Sequence, residues 1–190
     1  MAKNFGVYNS VRGATAPHYS WTLEDAHWHL TKERVNPVQE QQDYKNGSSL
    51  VACFGAYCPT NRKKVNADNE ISGLVGLDFD HIPEDQVLEF LEQIKLLPYV
   101  LLAWPSGSYY RVDDEKHGGL KLVVEPELPP ISPESYECIF AAVSDQVKKD
   151  IPALAAYWDA KCKDLTRLCF LSYAHHAWLN PLPQKMAITN

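Results

Sequence analysis

Nothing in the 190 residues approaches the run of ~20 apolar side chains that a membrane-spanning helix needs, so a membrane protein is not expected. Met1-Ala2-Lys3-Asn4 lacks the charged-then-apolar profile of a signal peptide, and a cytoplasmic chain is the expectation. The five cysteines (Cys53, Cys58, Cys138, Cys162, Cys169) are odd in number, irregular in spacing and form no C-x-x-C, which argues against a zinc ribbon, a redox pair or a disulfide framework. Thirteen prolines and nine glycines are dispersed, and there is neither a low-complexity linker nor an internal repeat. Basic charge does not dominate either: 18 Lys+Arg face 24 Asp+Glu for a net charge of −6, a poor balance for a general nucleic-acid coat.

What is present is average for a globular protein, with 45% hydrophobic and 22% charged residues. The charge is uneven along the chain. Residues 1–65 carry eight Lys/Arg against five Asp/Glu, and residues 66–190 carry ten against nineteen, a basic part beside an acidic one that suits either a polyanion lying next to a metal site or an ordinary surface.

Thr22 with Asp25 three residues on reads as a capping box opening a helix to about Arg34. From Ser49, SLVACFGAY is strand-like, and the polar CPTNRKKVNADNE reads as a turn before a stronger strand, Gly73 to Asp80. Pro83-Glu84-Asp85 starts a helix whose stripe is Val87, Leu88, Leu91, Ile94 and Leu97. Strands over 99–104 and 120–125 flank a loop at 105–118, and a helix runs from Ser132 or Pro133 to about Asp150. A short apolar segment ends at Trp158-Asp159, and LCFLSY (168–173) reads as a last strand. The expectation is α+β: a ferredoxin-like or RNA-recognition-motif-like β-α-β-β-α-β unit over 73–190, with an N-terminal α/β portion over 1–72. That architecture hosts many activities and names none.

Asp78 and Asp80 stand two apart on an apolar strand, so the pleat points both carboxylates to one side and Leu77 and Phe79 to the other. Paired carboxylates repel, and a divalent cation such as Mg²⁺ or Mn²⁺ relieves the repulsion. In the split unit the segments ending near Asp159 and beginning near Arg167 are expected beside this strand, bringing a third carboxylate. Three carboxylates can hold two ions for an in-line phosphoryl displacement. Lys121, after Gly118-Gly119, offers a compact positive charge to phosphates, and Arg167 offers a fork suited to a triphosphate. Taken singly, each is more often a surface charge.

Three ordered stretches, ISGLVGLDFDHI, then PSG with HGGLKLVV, then WDAKCKDLTRLCFLSY, resemble the primase-like N-terminal domain of VirE-type proteins, a branch of the archaeo-eukaryotic primase superfamily. The resemblance runs from about Leu50 to Pro181. It implies that Asp78 and Asp80 form the first metal-binding motif and that Asp159 is the third carboxylate. Gly119-Leu120-Lys121 falls where many relatives carry Ser-x-His, with Lys121 in the histidine's place. Ser106, Arg167 and Ser172 are implied in the nucleotide pocket. The implied activity is a template-directed nucleotidyltransferase, a primase-polymerase using nucleoside triphosphates, a single-stranded or primed DNA or RNA template and two Mg²⁺ or Mn²⁺ ions. A helicase or other replication protein is a plausible partner.

Other readings stay open. His27-Trp28-His29 resembles the histidine pair of replication nickases, but in a helix the two rings diverge. A catalytically silent single-strand-binding module would stack bases on Phe79, Phe170 or Tyr173, although Phe79 and Phe170 are expected as core beneath the helices. Arg62-Lys63-Lys64 reads as a phosphate clamp or a solvated turn. Tyr109, Tyr110 and Arg111 either stack on a base or fold back on the surface, and His175-His176 reads as a loop pair.

Overall fold

The computed structural model describes residues 4–8, 19–32, 50–57, 70–110 and 117–188. The basic cluster Arg62-Lys63-Lys64, Cys58 and Arg111 lie outside the described residues. The fold is α+β, with two four-stranded antiparallel sheets and a two-stranded one. No helix among the described residues is long and apolar enough to cross a membrane.

The first sheet runs in the order β2-β1-β3-β9, from β1 (Phe5–Tyr8), β2 (Tyr19–Trp21), β3 (Val51–Cys53) and β9 (Cys169–Phe170). The second runs β10-β7-β8-β6, from β6 (Val75–Pro83), β7 (Val100–Pro105), β8 (His117–Val124) and β10 (Trp178–Leu179). A small ladder joins β4 (Ala56–Tyr57) and β5 (Glu70–Ile71).

Three helices punctuate the strands. In α1 (Leu23–Thr31), Thr22 and Asp25 close the expected capping box, each side chain accepting from the other residue's backbone N–H. The helix α2 (Glu84–Lys95) follows Pro83 directly, with Glu84 and Asp85 in its first turn complementing the positive end of its dipole. Pro133 occupies the first turn of α3 (Pro133–Asp150), and Ser132 caps it with Ser135 as reciprocal partner.

Alternation along the strands divides the core in two. Leu77, Phe79, Leu120, Leu122 and Val124 face Val87, Leu91 and Ile94 of α2 and Phe140, Val143 and Val147 of α3. On the opposite side, Leu102, Trp104 and Val123 pack with Phe5, Val7 and Phe54 of the first sheet region and with Ala26 and Leu30 of α1. Asp78 and Lys121, which pair across β6 and β8, sit on this second side.

The elements β6, α2, β7, β8 and α3 follow in the expected order, with β8 between β7 and β6. The sixth element departs from expectation. LCFLSY contributes only Cys169–Phe170, and these pair with Val51 and Ala52 of β3, completing the first sheet instead of flanking β6. The flank of β6 is taken by an isolated bridge between Phe79 and Trp158. Tertiary pairing decides the matter here, because so short a strand carries no periodic signal of its own.

Candidate active site

β6 and β8 pair so that Asp78 stands opposite Lys121, one step out of phase with Leu77 and Leu122. The Lys121 ammonium donates to Asp78 Oδ2 in a buried ion pair. Burial alone disfavours the ammonium, but Asp78 foremost, with Asp80, outweighs it and holds the Lys121 pKa above its ordinary value. The other carboxylate oxygen, Asp78 Oδ1, is buried and meets no hydrogen-bond donor among the described residues. A buried acceptor left without a donor is costly, and a cation is one group that satisfies it.

Asp80 is placed by a bulge. Phe79 pairs with Leu120 and Ile82 with Gly118, so Asp80 and His81 together oppose Gly119 alone. His81 takes φ 62°, the left-handed region, which turns the strand at this point. Gly119 is required by proximity: a Cβ there would lie 2.6 Å from the Phe79 carbonyl oxygen and 2.9 Å from both Asp80 Oδ1 and Ser106 Oγ. Asp80's pKa is raised, first by burial, then by the neighbouring Asp78 carboxylate and by Asp159, with Lys121 opposing.

Asp159 arrives from far along the chain. Its backbone N–H donates to the Asp78 carbonyl (3.1 Å), continuing the bridge on the edge of β6. Its Oδ1 caps a short 3-10 turn over Ala160–Lys163 by accepting from the Lys161 N–H at 3.0 Å. Its Oδ2 lies 3.8 Å from Arg167 Nη2 and accepts from Cys162 Sγ at 3.8 Å. Ligand atoms of Asp78, Asp159 and Cys162 all lie within 4.8 Å of one another. The Cys162 thiol is pushed up to about 12 by burial, with Asp78 adding to it.

Beside these groups opens a cavity of about 200 Å³ lined by Asp78, Asp80, Lys121, Arg167, Phe170 and Ser172, with the Ser106–Ser108 turn as a further wall. Ser106 is fixed by its N–H on the Gly119 carbonyl (2.7 Å) and by a 2.6 Å hydroxyl contact with Ser108. Ser172 Oγ is buried and meets no hydrogen-bond partner among the described residues. The space is small, polar and bears both signs of charge.

A model of the family described as BT4734-like, N-terminal domain matches residues 49–178. The chain belongs to this family. No curated protein and no solved structure matches it. The match to the BT4734-like domain spans every residue lining the cavity and leaves β1, β2 and α1 outside.

Within the BT4734-like domain, Asp78, Asp80, Ser106, Lys121, Arg167 and Ser172 meet at one cavity, and Asp159 stands behind it against Asp78 and Arg167. Phe79 is core beneath the helices, as expected. Phe170 is half-buried: it packs against the edge of that core and also lines the cavity, because β9 joins β3. His27 and His29 find separate partners, the Ala177 carbonyl at 3.2 Å and the Trp21 ring at 5.2 Å. Tyr110 packs on His175 (5.3 Å between centroids) and Tyr109 on Tyr110 (4.9 Å), an aromatic group adjoining the Ser106–Ser108 wall. Sequence reasoning missed Cys162, whose only signal was its place three residues after Asp159, and the role of Gly119 as a clearance for two side chains.

Proposed function

We propose that this BT4734-like domain is a template-directed nucleotidyltransferase, a primase-polymerase that joins nucleotides from nucleoside triphosphates on a single-stranded or primed template. The observation that carries the reading is the meeting of Asp159 with Asp78, residues remote in the chain, behind a cavity that Asp78 lines together with Asp80, Lys121 and Arg167. We further read β6, α2, β7, β8 and α3, closed by the bridge between Phe79 and Trp158, as the RNA-recognition-motif-like unit of the archaeo-eukaryotic primases, in keeping with the resemblance to VirE-type domains. A cytoplasmic setting and a helicase partner belong to the same proposal.

The donor set fits divalent ions. Asp78 Oδ1 is buried without a donor among the described residues, and Asp80's pKa is raised first by burial and then by the neighbouring Asp78 carboxylate. Asp78, Asp80 and Asp159 would hold two ions, Mg²⁺ or Mn²⁺. Bound there, such ions supply the charge stabilisation and hydroxyl activation of phosphoryl transfer. The protein's own residues do the rest. Arg167, its side chain half-exposed at the cavity, is placed to grip phosphate oxygens in a forked geometry. Lys121 sets the position of Asp78 and adds a fixed positive charge below the same wall. Ser106 and Ser172 present hydroxyls, and the Phe170 ring offers an apolar surface to a base or sugar.

The test is incorporation of labelled nucleotides on single-stranded and primed templates, with Mg²⁺ or Mn²⁺ and with chelator. Synthesis by the parent that stops in chelator and in Asp78→Ala and Asp80→Ala is the expected result. Unchanged synthesis in both variants rejects the assignment. A second reading, a silent single-strand-binding module, draws on the ion pair with Lys121, which already neutralises one carboxylate. Strand binding that persists in chelator with no incorporation under any condition selects it.

A further inference from the structure

The short turn after Asp159 brings a sulfur to the carboxylates. Asp159 is the extended N-cap of the 3-10 turn and Cys162 lies within the turn, with its Sγ 3.8 Å from Asp159 Oδ2, while Lys161 and Lys163 stay exposed. The turn is pinned in this pose by the Cys162 N–H on the Asp159 carbonyl (3.3 Å) and by the Asp159 N–H on the Asp78 carbonyl (3.1 Å). Cys162 is buried, and Asp78, Asp159 and Cys162 each offer a ligand atom within 4.8 Å of the others. A second observation points to a ligand. Asp78 Oδ2 is engaged by Lys121, whereas Oδ1 is buried and unpartnered among the described residues, with Asp78 only 7% exposed. Asp80, though close, is not a member of this triad.

We infer that Asp78, Asp159 and Cys162 form a mixed carboxylate–thiolate site that takes a borderline divalent ion such as Zn²⁺ or Co²⁺ in preference to Mg²⁺. The inference rests on the divalent-ion reading above and changes the identity of one ion. Its chemistry is that of the donors: Mg²⁺ demands oxygen ligands in near-ideal octahedral geometry, and a thiolate favours softer ions. On binding, the Cys162 S–H bond breaks, the sulfur keeps the electron pair and donates it to the ion, and the proton leaves to solvent. No oxidant or reductant is involved. Water would complete the ion's shell.

The experiment uses the full chain, stripped with chelator and titrated with Co²⁺. The parent is expected to show a near-ultraviolet thiolate-to-cobalt charge-transfer band that saturates together with the visible ligand-field bands. Cys162→Ser is expected to keep weakened Co²⁺ binding but lose the charge-transfer band, with affinity falling by at least the ~10–100-fold that loss of a supporting partner costs. Excess Mg²⁺ should displace Co²⁺ from Cys162→Ser more readily than from the parent. Asp159→Asn, which leaves the thiol in place, should weaken Co²⁺ by a similar factor; unchanged affinity in that variant overturns the site. Co²⁺ bound to the parent with no charge-transfer band, or a band that persists in Cys162→Ser, overturns the thiolate ligand and leaves the carboxylate reading standing. Absence of Co²⁺, Zn²⁺ and Mg²⁺ binding by the parent in calorimetry overturns both.

Discussion

The two faces of the β10-β7-β8-β6 sheet come from the same strands and differ by a single step along them. On one face Leu77, Phe79, Leu120 and Leu122 are sealed under α2 and α3. On the other, Asp78, Asp80 and Lys121 stand beside a cavity. The polar face is buried nearly as deeply where it counts: Asp78 is 7% exposed, Lys121 7% and Leu77 1%. Burial that rewards the first face by ~25 cal/mol per Å² of apolar area penalises the second unless every charge is matched. The helix-side face therefore contributes stability, and the other spends some of it to hold charges close together.

The sharpest break of that contrast exchanges one residue on each side. Phe79→Ala removes a fully buried ring that packs 5.5 Å from Trp158. It is expected to cost about 3–5 kcal/mol in urea denaturation. Asp159→Asn keeps an acceptor to cap the 3-10 turn and is expected to leave stability within about 0.5 kcal/mol, as for substitutions that spare core and caps. Its effect should appear in nucleotide incorporation instead, a fall of roughly 10²–10³ in rate, the scale of losing one charge-stabilising group at a reacting centre. Equal losses of stability in the two variants would erase the distinction between the faces.

Next in size is the ion pair at the centre of the polar face. Lys121→Met leaves the Asp78 carboxylate buried with no cation opposite it, at an expected cost of about 3 kcal/mol. Asp78→Asn/Lys121→Met should recover most of it, giving a coupling well above the few tenths expected of independent sites. In Lys121→Met a divalent ion should stabilise the fold more than it does the parent, because it then supplies the only strong countercharge to Asp78. A cost below about 1 kcal/mol, the range of exposed pairs, would mean that water reaches the pair and that the polar face is cheaper to maintain than its burial indicates.

How much of this was legible in the sequence follows the same division. Period-2 alternation over Gly73–Asp80 placed Leu77 and Phe79 opposite Asp78 and Asp80, and the capping residues of α1 and α3 marked where those helices begin. Asp159 was legible through the expected topology and the family resemblance, and it meets Asp78 beside a bridge of a single residue pair, Phe79 with Trp158. The pairing of β9, a strand expected within LCFLSY, and the existence of β10 were not legible, since strands of two residues are defined by the neighbours they find: Val51 and Ala52 for one, Leu102 and Ala103 for the other. Nor was the bulge at Asp80-His81, because the glycine that permits it, Gly119, lies on the partner strand. Cys162 was not legible as a neighbour of the carboxylates, because its position over Asp159 depends on a 3-10 turn that has no hydrophobic period to announce it.

The smallest expected effect concerns the charge that the bulge brings in. Asp80's pKa is raised above the ordinary 3.8 by burial, by Asp78 and by Asp159, so the folded chain holds the Asp80 proton more tightly than the unfolded chain does. The linkage sign follows: this group's contribution is most favourable below pH 3.8, where both states are protonated, and it declines as pH rises through 3.8 to the higher folded-state value. Above that value the carboxylate remains as a constant penalty. Asp80→Asn, measured against the parent in chelator, should therefore be the more stable protein at neutral pH, and the gap should close as pH falls toward 3.8. The same gap should be smaller in an Asp159→Asn background, where one of the repelling charges is gone. A difference that does not vary with pH would mean that Asp80 is not held against its charge, and the crowding on the polar face would then reduce to the Asp78–Lys121 pair alone.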